Sequence, residues 1–268
     1  MNILVLIKEV PDMGKVTFDN ERGVVNRAKA PAEINPFDEN ALEAAIDLKQ
    51  SYVHENIRIT ALSMGPERAQ KSLRIAYARG ADKGVLLTDI KFGGSDTCAT
   101  ARTLAAAIHA MGKFDLILCG EKSVDGDTAQ VGAEVAEYLD IPHCYYVGAI
   151  EDLTAKTVVV CAEDIWGQTQ RRRMMLPALI SVTKNITAPK LPSVRRRLES
   201  RTVEIEKMSL KDLSGYLKEE ETGIKGSPTK VSKVIVPQGI ERSSILFRDE
   251  SEAFMNSIDQ ILLEKGLV

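Results

Sequence analysis

Short apolar runs that each end in a turn and then give way to a helical pattern recur along the first 140 residues, and this recurrence limits the folds open to the chain. Met1 to Ile7 is a continuous apolar strand that ends at Lys8-Glu9-Val10-Pro11-Asp12. Ile57 to Ser63 alternates and breaks at Met64-Gly65-Pro66, where Pro66 suits the first turn of a helix through about Arg79. Lys83 to Thr88 is a third strand, followed by a loop through Phe92-Gly93-Gly94 and a helix that starts at Ser95-Asp96-Thr97 and runs from Ala99 to Met111. Between the first two strands, Asp38 is placed to cap a helix from Glu39 to Gln50, on which Leu42, Ala45, Ile46 and Lys49 keep helical spacing. Parallel strands need crossover connections, so the alternation predicts an α/β fold with a parallel sheet covered on both faces. In such sheets ligands sit beyond the carboxyl ends of the strands, where strand order reverses.

The fourth junction is the most specific. Asp115 to Cys119 reads as a buried strand, and Gly120 to Gly132 joins it to a helix carrying Val131, Val135 and Leu139. Asp127 or Thr128 is placed to cap that helix, and Gly126 to let the backbone turn tightly, exposing N–H groups at the positive end of the helix dipole. A phosphate or diphosphate fits such a turn, and so does an ordinary capped helix, because no P-loop or dinucleotide glycine fingerprint accompanies it.

Composition narrows the function classes. A 268-residue chain with 44% hydrophobic residues can bury one substantial core plus an extension. A net charge of −3 gives no global basic field, which argues against nucleic acid as a partner. No apolar run approaches the roughly 18 residues of a membrane span, and the N-terminal strand lacks a cleavable signal pattern, so the reading is a cytoplasmic protein without a membrane partner. Cys98, Cys119, Cys144 and Cys161 have no CxxC spacing, and His54, His109 and His143 do not complete a ligand set, so no metal site is expected. The cysteines read as small core or pocket-lining residues, and His143 as structural or exposed.

Beyond Ile141-Pro142 the chain turns strand-rich. His143 to Ile150, Thr157 to Cys161 and Arg171 to Val182 read as extended, with Leu153-Thr154-Ala155-Lys156 as a turn and Arg171-Arg172-Arg173 as a solvated sheet edge. From residue 189 the pattern is broken by prolines, glycines and charges, which predicts an α/β domain over 1–188 and a partner-binding arm over 189–268. A helix around Arg195-Arg196-Arg197 and an amphipathic one from Glu250 to Leu267, with Phe254, Ile258, Ile261, Leu262 and Leu267 near one face, are expected within that arm.

Several of these segments, in this order, resemble the β subunit of electron-transferring flavoproteins: Asn2 to Lys8, Asn35-Pro36-Phe37, Met64-Gly65-Pro66, Arg79-Gly80-Ala81-Asp82, Val124 to Val131, Leu176 to Val182, and Leu191-Pro192-Ser193-Val194 with the following arginines. The resemblance spans nearly the whole chain. It implies an α/β nucleotide-binding domain of the adenine nucleotide hydrolase-like kind, paired with an α subunit that carries its own FAD. The family divides on whether the β-subunit site holds AMP or a second FAD that accepts a hydride from NADH and splits the electron pair. Phe92 to Thr100 and Val10-Pro11-Asp12 resemble the FAD-containing, bifurcating branch, which makes FAD the expected cofactor, AMP the alternative and NAD(H) the substrate. In this branch one electron goes through the α-subunit FAD to a flavin dehydrogenase of acyl-CoA or 2-hydroxy-acid type, and the other to ferredoxin or flavodoxin.

The residues that the resemblance assigns to the cofactor are Leu6, Lys8, Asn35, Ser63, Met64 and Gly65, with the adenine end near Leu6, Asn35, Ser63 and Met64. Ser95, Asp96, Thr97 and Thr100 form a second group, and Gly120, Asp125, Gly126, Asp127, Thr128, Ala129, Gln130 and Val131 form the diphosphate loop. Leu191 is assigned to partner recognition. No residue is assigned acid/base chemistry, so the chain reads as the electron-transfer subunit of an oxidoreductase complex. A nucleotide-binding sensor of universal-stress-protein type shares the sheet, but this chain lacks that group's glycine-spaced phosphate motif and has a long C-terminal arm.

Overall fold

The computed structural model describes residues 1–12, 15, 17–19, 24–26, 31–163, 166–230, 246–248 and 251–267. The chain opens with β1 (Asn2–Leu6), β2 (Glu9–Pro11), the paired β3 (Thr17–Asp19) and β4 (Val24–Asn26), and β5 (Ala32–Ile34), which returns antiparallel to β2. Helix α1 (Pro36–Ser51) leads to β6 (Arg58–Met64), α2 (Gln70–Arg79) to β7 (Lys83–Leu87), and α3 (Thr97–Met111) to β8 (Leu116–Gly120). After α4 (Val131–Tyr138) come β9 (His143–Leu153), β10 (Thr157–Glu163), β11 (Thr169–Met175) and β12 (Ala178–Val182). Then follow α5 (Val194–Glu199), β13 (Glu206–Met208), the single turn α6 (Gly223–Gly226) and α7 (Ser251–Glu264).

Nine of these strands form one sheet in the order β11-β10-β9-β12-β8-β1-β6-β7-β13. From β9 to β13 every neighbour is parallel, and β10 and β11 are added antiparallel at one end. The α/β class with a parallel sheet and a β-rich finish is therefore the observed fold. Alternation along β1 sends Ile3, Val5 and Ile7 into one core with Leu42, Ala45, Leu73 and Ala76 of α1 and α2. Leu4 and Leu6 enter the opposite core with Leu104, Ala107 and Val135 of α3 and α4. Strand order reverses at β1, because β6 lies on one side of it and β8 on the other.

Three expectations are corrected. Arg171 to Val182 is two strands. β11 carries the arginines at the sheet edge, whereas β12, broken off at Leu176-Pro177, is wholly buried between β9 and β8. The division expected at residue 188 is absent, because one compact unit runs from Met1 to Lys233 and a second from Val234 to Val268. Within the expected arm, Met208, Leu210, Leu213 and Leu217 bury themselves in the core beside α3, and β13 extends the sheet. Their polar neighbours hid this short apolar set. Residues 231–245 of the arm lie outside the described residues; in the second unit, α7 forms as expected and Phe254 packs edge-on against Phe247 at 5.6 Å.

Among the described residues, no helix is long and apolar enough to cross a membrane. All four cysteines are free, with Cys119 and Cys144 buried, and His143 is exposed with its ring edge-on to Tyr145.

Helix α4 lies so close to β8 and β9 that a Cβ on Gly132 would stand 2.6 Å from Tyr145 Oη and 2.7 Å from Cys119 Sγ. Alanine normally gains about 1 kcal/mol over glycine inside a helix, but overpacking of this kind costs about 1–3 kcal/mol. Gly132→Ala should therefore lower stability, read as a fall in the urea midpoint at unchanged m-value.

Candidate functional site

The reversal of strand order opens a crevice beyond Leu6 of β1 and Gly120 of β8, and the first turn of α1 stitches its two sides together. Helix α1 begins at Pro36, one turn earlier than the sequence suggested, with Asn35 as its N-cap residue and without a side-chain cap. Asp38 thus sits inside the first turn and serves other groups. Its Oδ2 accepts Lys8 N–H at 2.8 Å and its Oδ1 accepts Gly120 N–H at 3.1 Å. Asn35 Nδ2 donates to Lys122 O at 2.8 Å, and its Oδ1 accepts Val124 N–H at 3.1 Å. Lys8 Nζ reaches across to Ser123 Oγ at 3.1 Å and Asp125 Oδ1 at 2.6 Å.

These bonds fix the start of the loop that runs from Glu121 to Gln130. Asp127 N–H donates to Ser123 O at 2.8 Å, and Lys122 Nζ pairs with Asp127 Oδ1 at 2.8 Å. Asp127 (φ 52°) and Ala129 (φ 53°) take the left-handed conformation, while Gly126 does not. Gly126 is therefore not the residue that makes the tight turn, although its position is exposed. Left-handed non-glycine residues cost about 1 kcal/mol or more each and persist where the surroundings over-determine them, typically at binding sites.

Neither Asp127 nor Thr128 caps α4. The helix starts at Val131 with Gln130 at the cap position and no side-chain cap, and only from the sheet side does Tyr145 Oη accept Ala133 N–H, at 2.8 Å. The left-handed residues carry the chain around the helix start without presenting a carboxylate to it.

Other assigned residues gather at the same edge. Met64 and Gly65 leave β6, with Gly65 N–H donating to Leu87 O at 3.0 Å. Ser63 is 1% exposed and its hydroxyl has no protein partner. Thr97 Oγ1 donates to Glu134 Oε1 at 3.2 Å, which brings the first turns of α3 and α4 together, while Glu134 Oε2 is buried without a partner. Burial holds Glu134 above the usual carboxylate range. The groups of the Ser95 turn have partners of their own. Ser95 Oγ donates to Phe92 O at 2.8 Å, and Asp96 caps α3 through Ala99 N–H at 3.0 Å. Asp96 also accepts both Thr229 N–H and Thr229 Oγ, at 2.9 and 2.7 Å. Those bonds hold Asp96 below its ordinary value although burial opposes them. Thr100 N–H donates to Asp96 O at 3.0 Å within the first turn of α3.

The sequence concealed the double use of Asp38, the cap from Tyr145, and the approach to α3 of Thr229 and of Ser227, whose Oγ accepts Asp96 N–H at 2.9 Å. A clue to the first was the acidic residue two places after Pro36, where a helix start brings side chains near strand ends.

Leu191 lies apart from this edge. Lys190 is held by Glu43 and Asp47 of α1 and by Arg79 of α2, through its N–H, ammonium and carbonyl. The next residue, Leu191, is 91% exposed and does not pack into the fold.

The electron transfer flavoprotein domain model matches residues 22–213. The electron transfer flavoprotein subunit beta of Megasphaera elsdenii is 38% identical over 269 residues, covering 98% of this chain and 97% of that one. The chain belongs to the electron transfer flavoprotein family. It is also similar to subunit CarD of the caffeyl-CoA reductase-Etf complex of Acetobacterium woodii, 36% identical over 237 residues and 88% of each chain. The acryloyl-CoA reductase electron transfer subunit gamma of Anaerotignum propionicum is 34% identical over 268 residues, or 98% of each chain. In this electron transfer flavoprotein subunit, a helix start capped only at Ala133 by Tyr145, the unpartnered Ser63 hydroxyl and the braced left-handed turn fit an anionic nucleotide. Among the described residues no group of three or more His, Cys, Asp or Glu side chains is placed to hold a metal ion.

Asp38 is 7% exposed, and burial raises it from 3.8 to about 7, against the lowering effect of the two backbone N–H groups and Asn35. As pH rises through the interval from about 4 to 7, the unfolded chain gives up this proton while the folded protein keeps it. The group therefore removes stability across that window, on the order of 4 kcal/mol, with no further loss above it. Asp38→Asn should flatten this decline, measured as the difference between unfolding free energies at pH 4.5 and pH 8.

Proposed function

We propose that this subunit holds FAD at the carboxyl edge of β1 and β8 and acts as the NADH-facing half of a bifurcating electron transfer flavoprotein. The observation that carries the nucleotide part is the braced loop from Glu121 to Gln130, which leads into α4 without a cap from its own side chains. When bound, FAD would take a hydride from NADH and pass one electron through an α-subunit FAD to a flavin dehydrogenase of acyl-CoA or 2-hydroxy-acid type and the other to ferredoxin or flavodoxin. The chain's own part is binding and orientation. The positive end of α4 and the amides of Thr128, Ala129, Gln130 and Val131 would face the diphosphate, Asp127 N–H being used on Ser123 O, and Lys8, held by Asp125, adds a cation beside Gly126. Leu6, Ser63, Met64 and Gly65 line the adenine end, where the Ser63 hydroxyl finds the acceptor or donor that the protein does not supply.

The longer cofactor is supported by the meeting of two helix starts. Thr97 bonded to Glu134 sets the α3 turn with Ser95, Asp96 and Thr100 beside the α4 turn, a second polar turn that a mononucleotide at α4 would leave unused. The opposing observation is that the side chains of Ser95, Asp96 and Thr97 are engaged within the protein, which favours AMP. Cofactor released by denaturing the purified heterodimer decides between them. Two FAD per heterodimer is the expected result, and one FAD with one AMP would place this subunit in the non-bifurcating branch.

Leu191 is the proposed contact with the dehydrogenase. Three groups hold Lys190, so the apolar tip is presented with little ordering left to do on binding. Leu191→Ala should weaken electron transfer to the dehydrogenase several-fold while flavin content and reduction by NADH stay unchanged. An unaltered dehydrogenase affinity in a binding titration would take Leu191 out of the interface.

A further inference from the structure

The side chains of Asn35 and Asp38 are more completely engaged than those of nucleotide contacts need to be. Asn35 is 1% exposed, and its amide is used at both ends on one loop, donating to Lys122 O and accepting from Val124 N–H. Its own N–H donates to Lys8 O at 2.9 Å, so the residue joins the exit of β1 to the loop after β8. One turn along, Asp38 joins the same two segments through Lys8 N–H and Gly120 N–H. Lys8 completes the connection with its ammonium on Ser123 and Asp125. A Cβ on Gly120 would stand 2.6 Å from Asp38 Oδ1 and from Phe37 Cβ, so the α1 turn is seated directly on the strand end.

We infer that Asn35 and Asp38 are positioning residues for the nucleotide, setting the shape of residues 121–130 before a ligand arrives without touching it themselves. The inference rests on the nucleotide reading above and assigns Asn35, taken from the sequence as an adenine contact, a different task. The loop contains two left-handed residues, Asp127 and Ala129, which relax unless neighbouring bonds hold them. Removing Asn35 leaves Lys122 O and Val124 N–H without their partner, and the loop regains the freedom that folding had removed. The nucleotide must then order the loop as it binds, which lowers affinity without removing any ligand contact.

The test uses the full-length chain, with AMP and FAD as probes in calorimetric titrations, and hydrogen exchange over residues 121–131 measured with and without AMP. In the wild type, AMP should slow exchange in this segment. Asn35→Ala should speed ligand-free exchange there and weaken both probes by about tenfold or more, while Asn35→Asp, which keeps the acceptor for Val124 N–H, should fall between. Lys8→Met, a change at an exposed side chain, should speed ligand-free exchange in the same segment; its affinity is not compared, because the ammonium is also assigned to the anion.

Faster exchange in Asn35→Ala with wild-type affinity for both probes would overturn the inference, because loop order would not limit binding. Weakened binding with unchanged ligand-free exchange would overturn it too, by making Asn35 a direct contact. Absence of AMP protection at 121–131 in the wild type would instead overturn the nucleotide reading itself, and the inference with it. Should Asn35→Ala fail to fold, Asn35→Asp decides the matter on the same two readouts.

Discussion

Strand β1 is paired in parallel on both edges, and this constraint shapes the rest of the molecule. Its backbone hydrogen bonds are consumed by β6 and β8, so the chain must leave it over one face of the sheet to reach β6 and come back over the other to reach β8. The helices of those crossovers bury Ile3 and Val5 on one side and Leu4 and Leu6 on the other. Because the two crossovers diverge, nothing in the sheet itself closes the gap beyond Leu6 and Gly120. The polar groups exposed there need partners, and the first turn of α1 supplies them.

The carboxyl group of Asp38 is costly in such a place. Burial of a lone carboxylate is offset only in part by two backbone N–H donors, which is why its proton is held to about pH 7. An apolar residue would avoid that cost but would leave the Lys8 and Gly120 amides unpaired beneath the helix. Each such amide costs about 1–3 kcal/mol, so the comparison favours the carboxyl even when it is neutral for part of the time. Gly120 fits the same logic, since the closeness that lets its N–H reach Asp38 leaves no room for a side chain.

What could be read from the sequence follows the range of the interactions. The sheet strands and helices up to Tyr138 were legible because apolar spacing is local, whereas the short β2 to β5 were not read, and the start of α3 at Ser95-Asp96-Thr97 was legible because the partner of Asp96 is three residues away. The cap of α4 was misread because the physical solution is distant, with Tyr145 serving Ala133 from the neighbouring strand. The region after residue 188 was read as an arm because Ile205, Met208, Leu210, Leu213 and Leu217 are spread among charges. Only the exposed edge of β7 and the flank of α3 make their burial worthwhile. Within the candidate site, spacing pointed to the loop after β8 but could not show that Asn35 and Asp38 brace it, since those bonds span 82 to 89 residues.

Helix α1 ties this site to the rest of the surface without making it move. Its first turn braces the 121–130 loop, and further along it carries the buried Glu43 and the partly exposed Asp47, which hold Lys190 beside Leu191. Asn35 and Asp47 are about three turns apart, roughly 18 Å along a helix whose inner residues Leu42, Ala45 and Ile46 are locked in the core. A packed helix of this kind transmits position well and displacement poorly, because shifting it would break close contacts along its whole length. The edge proposed for the nucleotide and the exposed leucine are therefore fixed relative to one scaffold, and the distance between them is set by folding.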